Sequence, residues 1–516
     1  MDCRIPVLFA AYLILFLIIL PVRSLPPEEN LGLQVEWTFN TSSQFPGLSF
    51  GAGHQGCITI WDTDYDGINE LLFGTRRGDS KRLWCIDASG NFEWIYPPIE
   101  ENGLPGDPTS KVSIVDVDGD GIHELCLAGR GGRLHVLRPD GSVMWTWDEP
   151  DASSMMGSPQ AMDVDGDGRV EFFMNTNGGL VHRVSNEGQL VWTCSPPSGR
   201  GNQGFPTICD VNRDGEYEVI WASQDFYVHC HDAQTGREKW RFNAGSNLKT
   251  QPVLVADVNE DGEYEVIVWG DAPVSSLICL DAFGNETWRW THPRDGTNIR
   301  LCQAFGDVNG DGGLDAVLLT GDTAFGVDIS GPAPETIWEI NFTRWSSDGK
   351  LPDGAQANHW SSYQVIADID GDGEQEVTWL VPYPVVTNGR TGELEGYYVN
   401  EYVAINRRQE SGGIWTDVDL DGVSEFICEL NGNSHPETLI YCLSMGGDFP
   451  AESPWPEFFH SAYPREFQLK QEWLTMKSAH SNSMWFPIGE MLALAIPVII
   501  LCYQRYDKIW QESGGG

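Results

Sequence analysis

Basic residues are scarce in this chain. Only 31 Lys and Arg stand against 75 Asp and Glu, a formal charge of −44 at pH 7. A polymer this acidic repels phosphate backbones, which excludes nucleic acid as a partner. Long apolar stripes at helical spacing are also missing, which excludes a helical bundle and leaves short strands and turns as the building material. The 57 Gly and 21 Trp fit that composition. With 516 residues, the chain holds either one large repeat architecture or a few ordinary domains. Its acids are clustered rather than spread, and clustered carboxylates are tolerable where divalent cations neutralise them.

The clusters recur. The pattern Asp-x-Asp/Asn-x-Asp-Gly-x-x-Glu/Asp begins at Asp62, Asp116, Asp163, Asp210, Asp257, Asp307, Asp368 and Asp417, at intervals of 54, 47, 47, 47, 50, 61 and 49 residues. A period near 47 matches one four-stranded propeller blade. The fourth period shows the content. Pro206–Cys209 runs into the acidic loop, and β-rich runs follow at Glu218–Ala222, Phe226–His231 and Glu238–Phe242, separated by turn residues. Trp94, Trp145, Trp192, Trp240, Trp288 and Trp338 recur in the fourth run and read as packing residues between blades. Ahead of the first loop, Val35–Phe39 resembles a fourth strand with no blade of its own, and the last repeat has only a weak one. The N-terminal strand is therefore expected to complete the last blade and close the ring. The predicted fold is all-β, an eight-bladed β-propeller over 25–450. Seven blades is the alternative if the 61-residue interval, with a protruding loop expected within Thr336–Gln356, is an insertion.

Each loop has the donors of a calcium site. Ca²⁺ takes roughly six to eight oxygens, and Gly at position 6 makes the sharp turn that lets positions 1, 3, 5 and 9 converge. The first loop offers Asp62, Asp64, Asp66 and Glu70, the second Asp116, Asp118, Asp120 and Glu124, and the third Asp163, Asp165, Asp167 and Glu171. The seventh offers Asp368, Asp370, Asp372 and Glu376, and the eighth Asp417, Asp419, Asp421 and Glu425. The remaining three carry Asn at position 3: Asp210, Asn212, Asp214 and Glu218; Asp257, Asn259, Asp261 and Glu265; Asp307, Asn309, Asp311 and Asp315. One fewer negative charge predicts weaker calcium binding in these three. The expected cofactor is structural Ca²⁺, up to eight ions. The terminal acid falls at position 9 rather than 12 and strands flank the loop, which separates these loops from EF-hands. Mg²⁺ parts with its waters too reluctantly for an all-protein cage.

These loops resemble the FG-GAP/VCBS-type repeats of integrin α-chain propellers. The segment Asp232-Ala233-Gln234-Thr235-Gly236-Arg237-Glu238-Lys239-Trp240 resembles the tryptophan motif of PQQ-type propellers. Calcium-loop propellers of this mixed kind include the eight-bladed rhamnogalacturonan lyases. The resemblance covers about 31–456 and implies calcium as an ion clamping blade loops. It does not imply the quinone, for which no residue here matches a pocket, and the lyase catalytic residues do not map onto this chain.

The ends predict export. Residues 1–24 read as a secretory signal, with an apolar run from Ile5 to Leu20 after Arg4. Residues 451–484 read as a stalk, 485–504 as a membrane span or a cleaved sorting tail of archaeal type, and 505–516 as a short cytoplasmic end with Arg505 and Lys508. Of 12 cysteines, Cys3 lies in the signal and Cys502 in the tail; most of the others sit in apolar strand patterns, where a free thiol packs as a small hydrophobe. The expected function is a membrane-anchored surface propeller, non-enzymatic, that binds glycan or protein ligands or acts as a scaffold. The alternative is an exported lyase acting on acidic polysaccharide. Candidates for that chemistry are His54, His292 and His359, with Lys249, Arg294, Arg300 and Trp360 nearby in repeat register.

Overall fold

The computed structural model describes residues 28–29, 33–45, 58–75, 81–98, 104, 111–129, 131–151, 155, 157–195, 206–248, 253–270, 275–293, 303–320, 322–351, 364–369, 372–381, 383–398, 413–421, 424–429 and 439–445. These residues form eight four-stranded antiparallel sheets arranged as a propeller. Blade 1 holds Ile58–Trp61, Glu70–Gly74, Leu83–Asp87 and Phe92–Tyr96. Blade 2 covers Ser113 to Asp148, blade 3 Gln160 to Cys194, blade 4 Thr207 to Asn243, blade 5 Leu254 to Thr291 and blade 6 Gln303 to Asn341. Blade 7 spans Val365 to Tyr397 and gains a fifth, parallel strand, β1 (Glu28–Glu29). In every blade an acidic loop joins the first strand to the second.

Strand composition explains the layering. Second strands such as Glu218–Ala222 and Glu265–Gly270 are buried throughout, because both faces meet neighbouring blades. Fourth strands such as Glu238–Asn243 are half exposed and carry the charged residues of the rim. First strands of successive blades approach one another around the axis.

The ring closes as the sequence predicts. Strand β2 (Leu33–Asn40) pairs with Leu439–Met445 and supplies the fourth strand of blade 8. Its Phe39 packs edge-on against Phe73 and Trp84 of blade 1, at centroid distances of 6.0 and 5.8 Å. Eight blades, not seven, are present. In the long sixth interval the stretch expected to protrude begins within an ordinary fourth strand, Glu335–Asn341, and departs from the repeat only at a short helix, α2 (Phe342–Ser347), capped by Asn341. A four-residue helix, α1 (Thr41–Gln44), follows β2.

The recurring tryptophans lock blade to blade. Five of the six lie over a glycine in the third-to-fourth strand turn of the next blade: Trp94 on Gly141, Trp145 on Gly188, Trp192 on Gly236, Trp240 on Gly284 and Trp338 on Gly392. Trp37 does the same to Gly90, carrying the contact from blade 8 to blade 1. Glycine is required at Gly284, where φ is +80° and a Cβ would sit 2.6 Å from the Trp240 ring. The indole N–H groups of Trp192 and Trp240 donate to the carbonyls of Ala233 and Ala282, at 3.1 and 3.0 Å.

The expected signal, stalk, C-terminal segment and basic end all lie outside the described residues. Among the described residues, no helix is long and apolar enough to cross a membrane.

Candidate metal-binding loops

The eight loops share one internal wiring. In the first seven loops the position-1 carboxylate accepts hydrogen bonds from backbone N–H groups across the turn; Asp62 takes those of Asp66 and Gly67, both at 3.0 Å. The chain can bend this way because positions 4 and 6 are left-handed. Gly67, Gly121 and Gly168 have φ between +85° and +92°, while position 4 is Gly119 or Gly166 in some loops and Tyr65, Arg213, Glu260 or Leu420 in others. The position-9 carboxylate turns back on its own loop, and one oxygen accepts the N–H of position 2. This bond appears in every loop, onto Glu70, Glu124, Glu171, Glu218, Glu265, Asp315, Glu376 and Glu425, at 2.5 to 3.2 Å.

That bond fixes the carboxylate and leaves its second oxygen for another partner. Among the described residues, the acids of four loops converge so that one oxygen from each of three lies within 4.8 Å of the others. The groups are Asp62, Asp64 and Asp66; Asp116, Asp118 and Glu124; Asp163, Asp165 and Glu171; and Asp417, Asp419 and Glu425. Burial and neighbouring carboxylates push the terminal acids up: Glu265 to about 7, Asp315 to about 8, Glu425 to about 8, with Glu70, Glu124, Glu171 and Glu218 raised as well. Desolvation is the leading cause in each case. Clustered oxygen donors, turned inward and reluctant to ionise alone, fit a hard dication. Asp370 lies outside the described residues.

Two loops carry a cation of their own. In the third, the buried Arg183 guanidinium reaches Asp165 at 2.8 Å and Glu171 at 3.2 Å. In the fourth, the Lys239 ammonium bonds Glu218 and lies 3.8 Å from Asp214. The third loop, expected among the strong sites on its charge, thus holds an organic cation among its ligands. The Asn-containing fifth and sixth loops differ again. Asn259 Nδ2 donates to Glu265 Oε1 at 3.2 Å and Asn309 Nδ2 to Asp315 Oδ1 at 3.3 Å, partly satisfying the oxygen an ion would take.

A bulge brings Lys239 to its loop. The pairing of third and fourth strands slips one residue before the tryptophan in blade after blade, and Lys239 is the slipped residue of blade 4. The same slip aims Glu93 at the first loop and Glu36 at the eighth. Burial pushes the Glu93 carboxyl up, with Asp64 and Asp66 adding to it, and Glu36 adds in the same way to the burial of Glu425. Sequence reasoning missed these residues. The signal was available, since each immediately precedes a fourth-strand Trp: Glu36-Trp37, Glu93-Trp94, Lys239-Trp240.

Adjacent loops touch. The Tyr65 hydroxyl of the first accepts the His123 N–H of the second at 2.7 Å, and Arg213 of the fourth lies 4.2 Å over the Tyr264 ring of the fifth. Asn69 donates to the Val418 carbonyl at 3.2 Å, joining the first loop to the eighth.

Of the candidates for lyase chemistry, His292 is buried against Trp290 and Phe325, a packing position. His54, His359, Lys249, Arg294, Arg300 and Trp360 lie outside the described residues. The described cysteines are free thiols, nearly all buried, as their apolar strand positions predict.

No protein-family model matches this chain, and no curated protein matches it. Solved structures do. The V. cholerae biofilm matrix protein Bap1 aligns with a TM-score of 0.53 at 13% identity, covering 81% of this chain and 92% of that one. Quinohemoprotein alcohol dehydrogenase from Comamonas testosteroni gives 0.51 at 12%, covering 82% and 78%. A europium-containing methanol dehydrogenase gives 0.51 at 10%, covering 80% and 93%. At these identities the likeness is one of fold: this chain is an eight-bladed β-propeller.

Proposed function

We propose that this chain is a calcium-clamped propeller of the cell surface that presents a binding or scaffold face to glycan or protein ligands. The carrying observation is the wiring of the loops. Eight terminal carboxylates are each tied by one oxygen to their own loop, beside clustered aspartates whose mutual repulsion a bound cation would relieve. In this reading calcium fills six loops. The first, second, seventh and eighth bind it tightly, the fifth and sixth more weakly, and Arg183 and Lys239 replace it in the third and fourth. Calcium is then a structural ion that fixes a contiguous ring of loops, not a catalytic centre. Export through residues 1–24 and membrane attachment through 485–504 belong to the same proposal.

The fold itself does not choose a function, since its structural neighbours include a matrix protein and dehydrogenases. The test is to incubate the calcium-loaded chain with acidic and neutral polysaccharides. Retention on a glycan or protein ligand with no new product, lost in excess chelator, supports a binding propeller. Accumulation of unsaturated sugars from an acidic polysaccharide establishes the lyase alternative instead.

A further inference from the structure

Blade 4 differs from the other blades in its third strand, Tyr227–Asp232. Alternation along the strand sends Val228 and Cys230 into the core shared with blade 5 and turns His229 and His231 to the opposite face, against Trp221. There His231 lies 3.5 Å from the Cys194 thiol of blade 3. Across the hairpin, Glu238 is the direct partner of His231. One ligating atom each from His229, His231 and Glu238 lies within 4.8 Å of the other two. His231 Nε2 is 3.9 Å from Glu238 Oε2.

The remaining nitrogens show how the two rings are held. His231 Nδ1 donates to the Gly236 carbonyl at 2.9 Å, which leaves Nε2 with its lone pair on the Glu238 side. His229 Nε2 faces Asp225 Oδ2 at 3.1 Å. A ring nitrogen fixed by a carbonyl or a carboxylate is the usual support of an imidazole that binds metal through its other nitrogen. His229 Nδ1 is buried without a hydrogen-bond partner among the described residues, and its side chain is 1% exposed. A buried unpaired nitrogen is costly to leave empty.

The repeat does not explain the cluster. His135 and His182 stand at the position of His229 in blades 2 and 3, but two residues on they have Leu137 and Val184, which offer no ligand. Two imidazoles and a carboxylate suit a borderline dication far better than calcium, which selects oxygen. Bonds of about 2.0–2.1 Å set tetrahedral ligand atoms ~3.4 Å apart, so the three side chains must close by about an ångström. Glu238 is 42% exposed, and its other oxygen lies 3.8 Å from Arg241 on the rim, a contact that an inward swing would exchange for the metal.

We propose that His229, His231 and Glu238 form a site for one first-row transition-metal dication of the Zn²⁺ class, pinning the third and fourth strands of blade 4 beside blade 3, with its fourth position open to water. Asp225 is a positioning residue. This site is independent of the calcium loops. The test uses the full chain, stripped of metal and then kept in excess Ca²⁺, titrated with Zn²⁺ by calorimetry and with Co²⁺ for its ligand-field spectrum. Wild type should take up one Zn²⁺ more per chain than either His231→Asn or Glu238→Gln. Asp225→Asn should weaken that ion by about 10–100-fold. Glu238→Gln alters only a half-exposed side chain, and an unchanged melting curve in Ca²⁺ alone verifies its fold. Equal Zn²⁺ uptake by wild type and both variants, or no uptake by wild type, overturns the site; the first outcome would place the metal elsewhere on the chain.

Discussion

Stripping calcium should reverse the way this propeller responds to pH. The unfolded chain releases the protons of Glu265 and Glu425 near pH 4.5 and that of Asp315 near 3.8, whereas the folded chain holds them to about 7, about 8 and about 8. Between those values the ion-free fold binds more protons than the unfolded chain, so its stability is full at low pH and falls as pH rises. At about 1.4 kcal/mol per pH unit, each of these buried carboxyls costs the ion-free fold on the order of 3–4 kcal/mol at pH 7, an upper figure. Together the three give a slope of about 4 kcal/mol per pH unit between roughly pH 5 and 7. With an unfolding entropy of about 2 cal/mol/K per residue over some 400 propeller residues, that is about 5 °C of melting temperature per pH unit. Saturating Ca²⁺ needs the ionised ligands, so the slope should flatten or change sign. The assay is thermal unfolding across pH 5 to 8, in chelator and in Ca²⁺. Parallel pH profiles in the two conditions would refute the assignment of these carboxylates to an ion.

Four further substitutions follow from the packing. Arg183→Gln leaves Asp165 and Glu171 unpaired, and in chelator it should cost about 3–5 kcal/mol; Ca²⁺ should restore most of this by entering the vacated loop, and a loss indifferent to Ca²⁺ would show that Arg183 does not stand in for the ion. Phe39→Ala removes the aromatic anchor between blade 8 and blade 1 and should cost about 3–5 kcal/mol in denaturant unfolding; a loss under 1 kcal/mol would mean that β2 contributes little to closure. Gly284→Ala forces a left-handed residue against Trp240 and should cost at least about 2 kcal/mol, whereas Gly67→Ala, with nothing within 4 Å of its Cβ, should cost only the backbone strain.

What could be read from the sequence was what the repeat states eight times. The acids at positions 1, 3, 5 and 9, the left-handed glycine at position 6 and the packing tryptophans are local and periodic, so alignment of the chain on itself exposes them. Closure by β2 was legible for the same reason: Val35–Phe39 carries the fourth-strand pattern, and Trp37 meets Gly90 as its equivalents meet theirs. What the pattern hides is set by register. Arg183 lies in an apolar strand where other blades place Cys85, Cys230 or Cys279, and only the cross-strand pairing carries its side chain to the third loop. Lys239 and Glu93 reach their loops through a one-residue slip, which a strict alternation of faces would not foresee. His229 and His231 read as ordinary strand residues in the sequence, and only the hairpin pairing sets Glu238 opposite His231.

Counting ions tests the central claim most directly. The folded chain, dialysed against trace Ca²⁺ and analysed for bound metal, should hold six calcium ions, four tight and two weaker. The double variant Arg183→Ala, Lys239→Ala should raise the count to eight. Eight equal sites in the wild-type chain, or none, would contradict it.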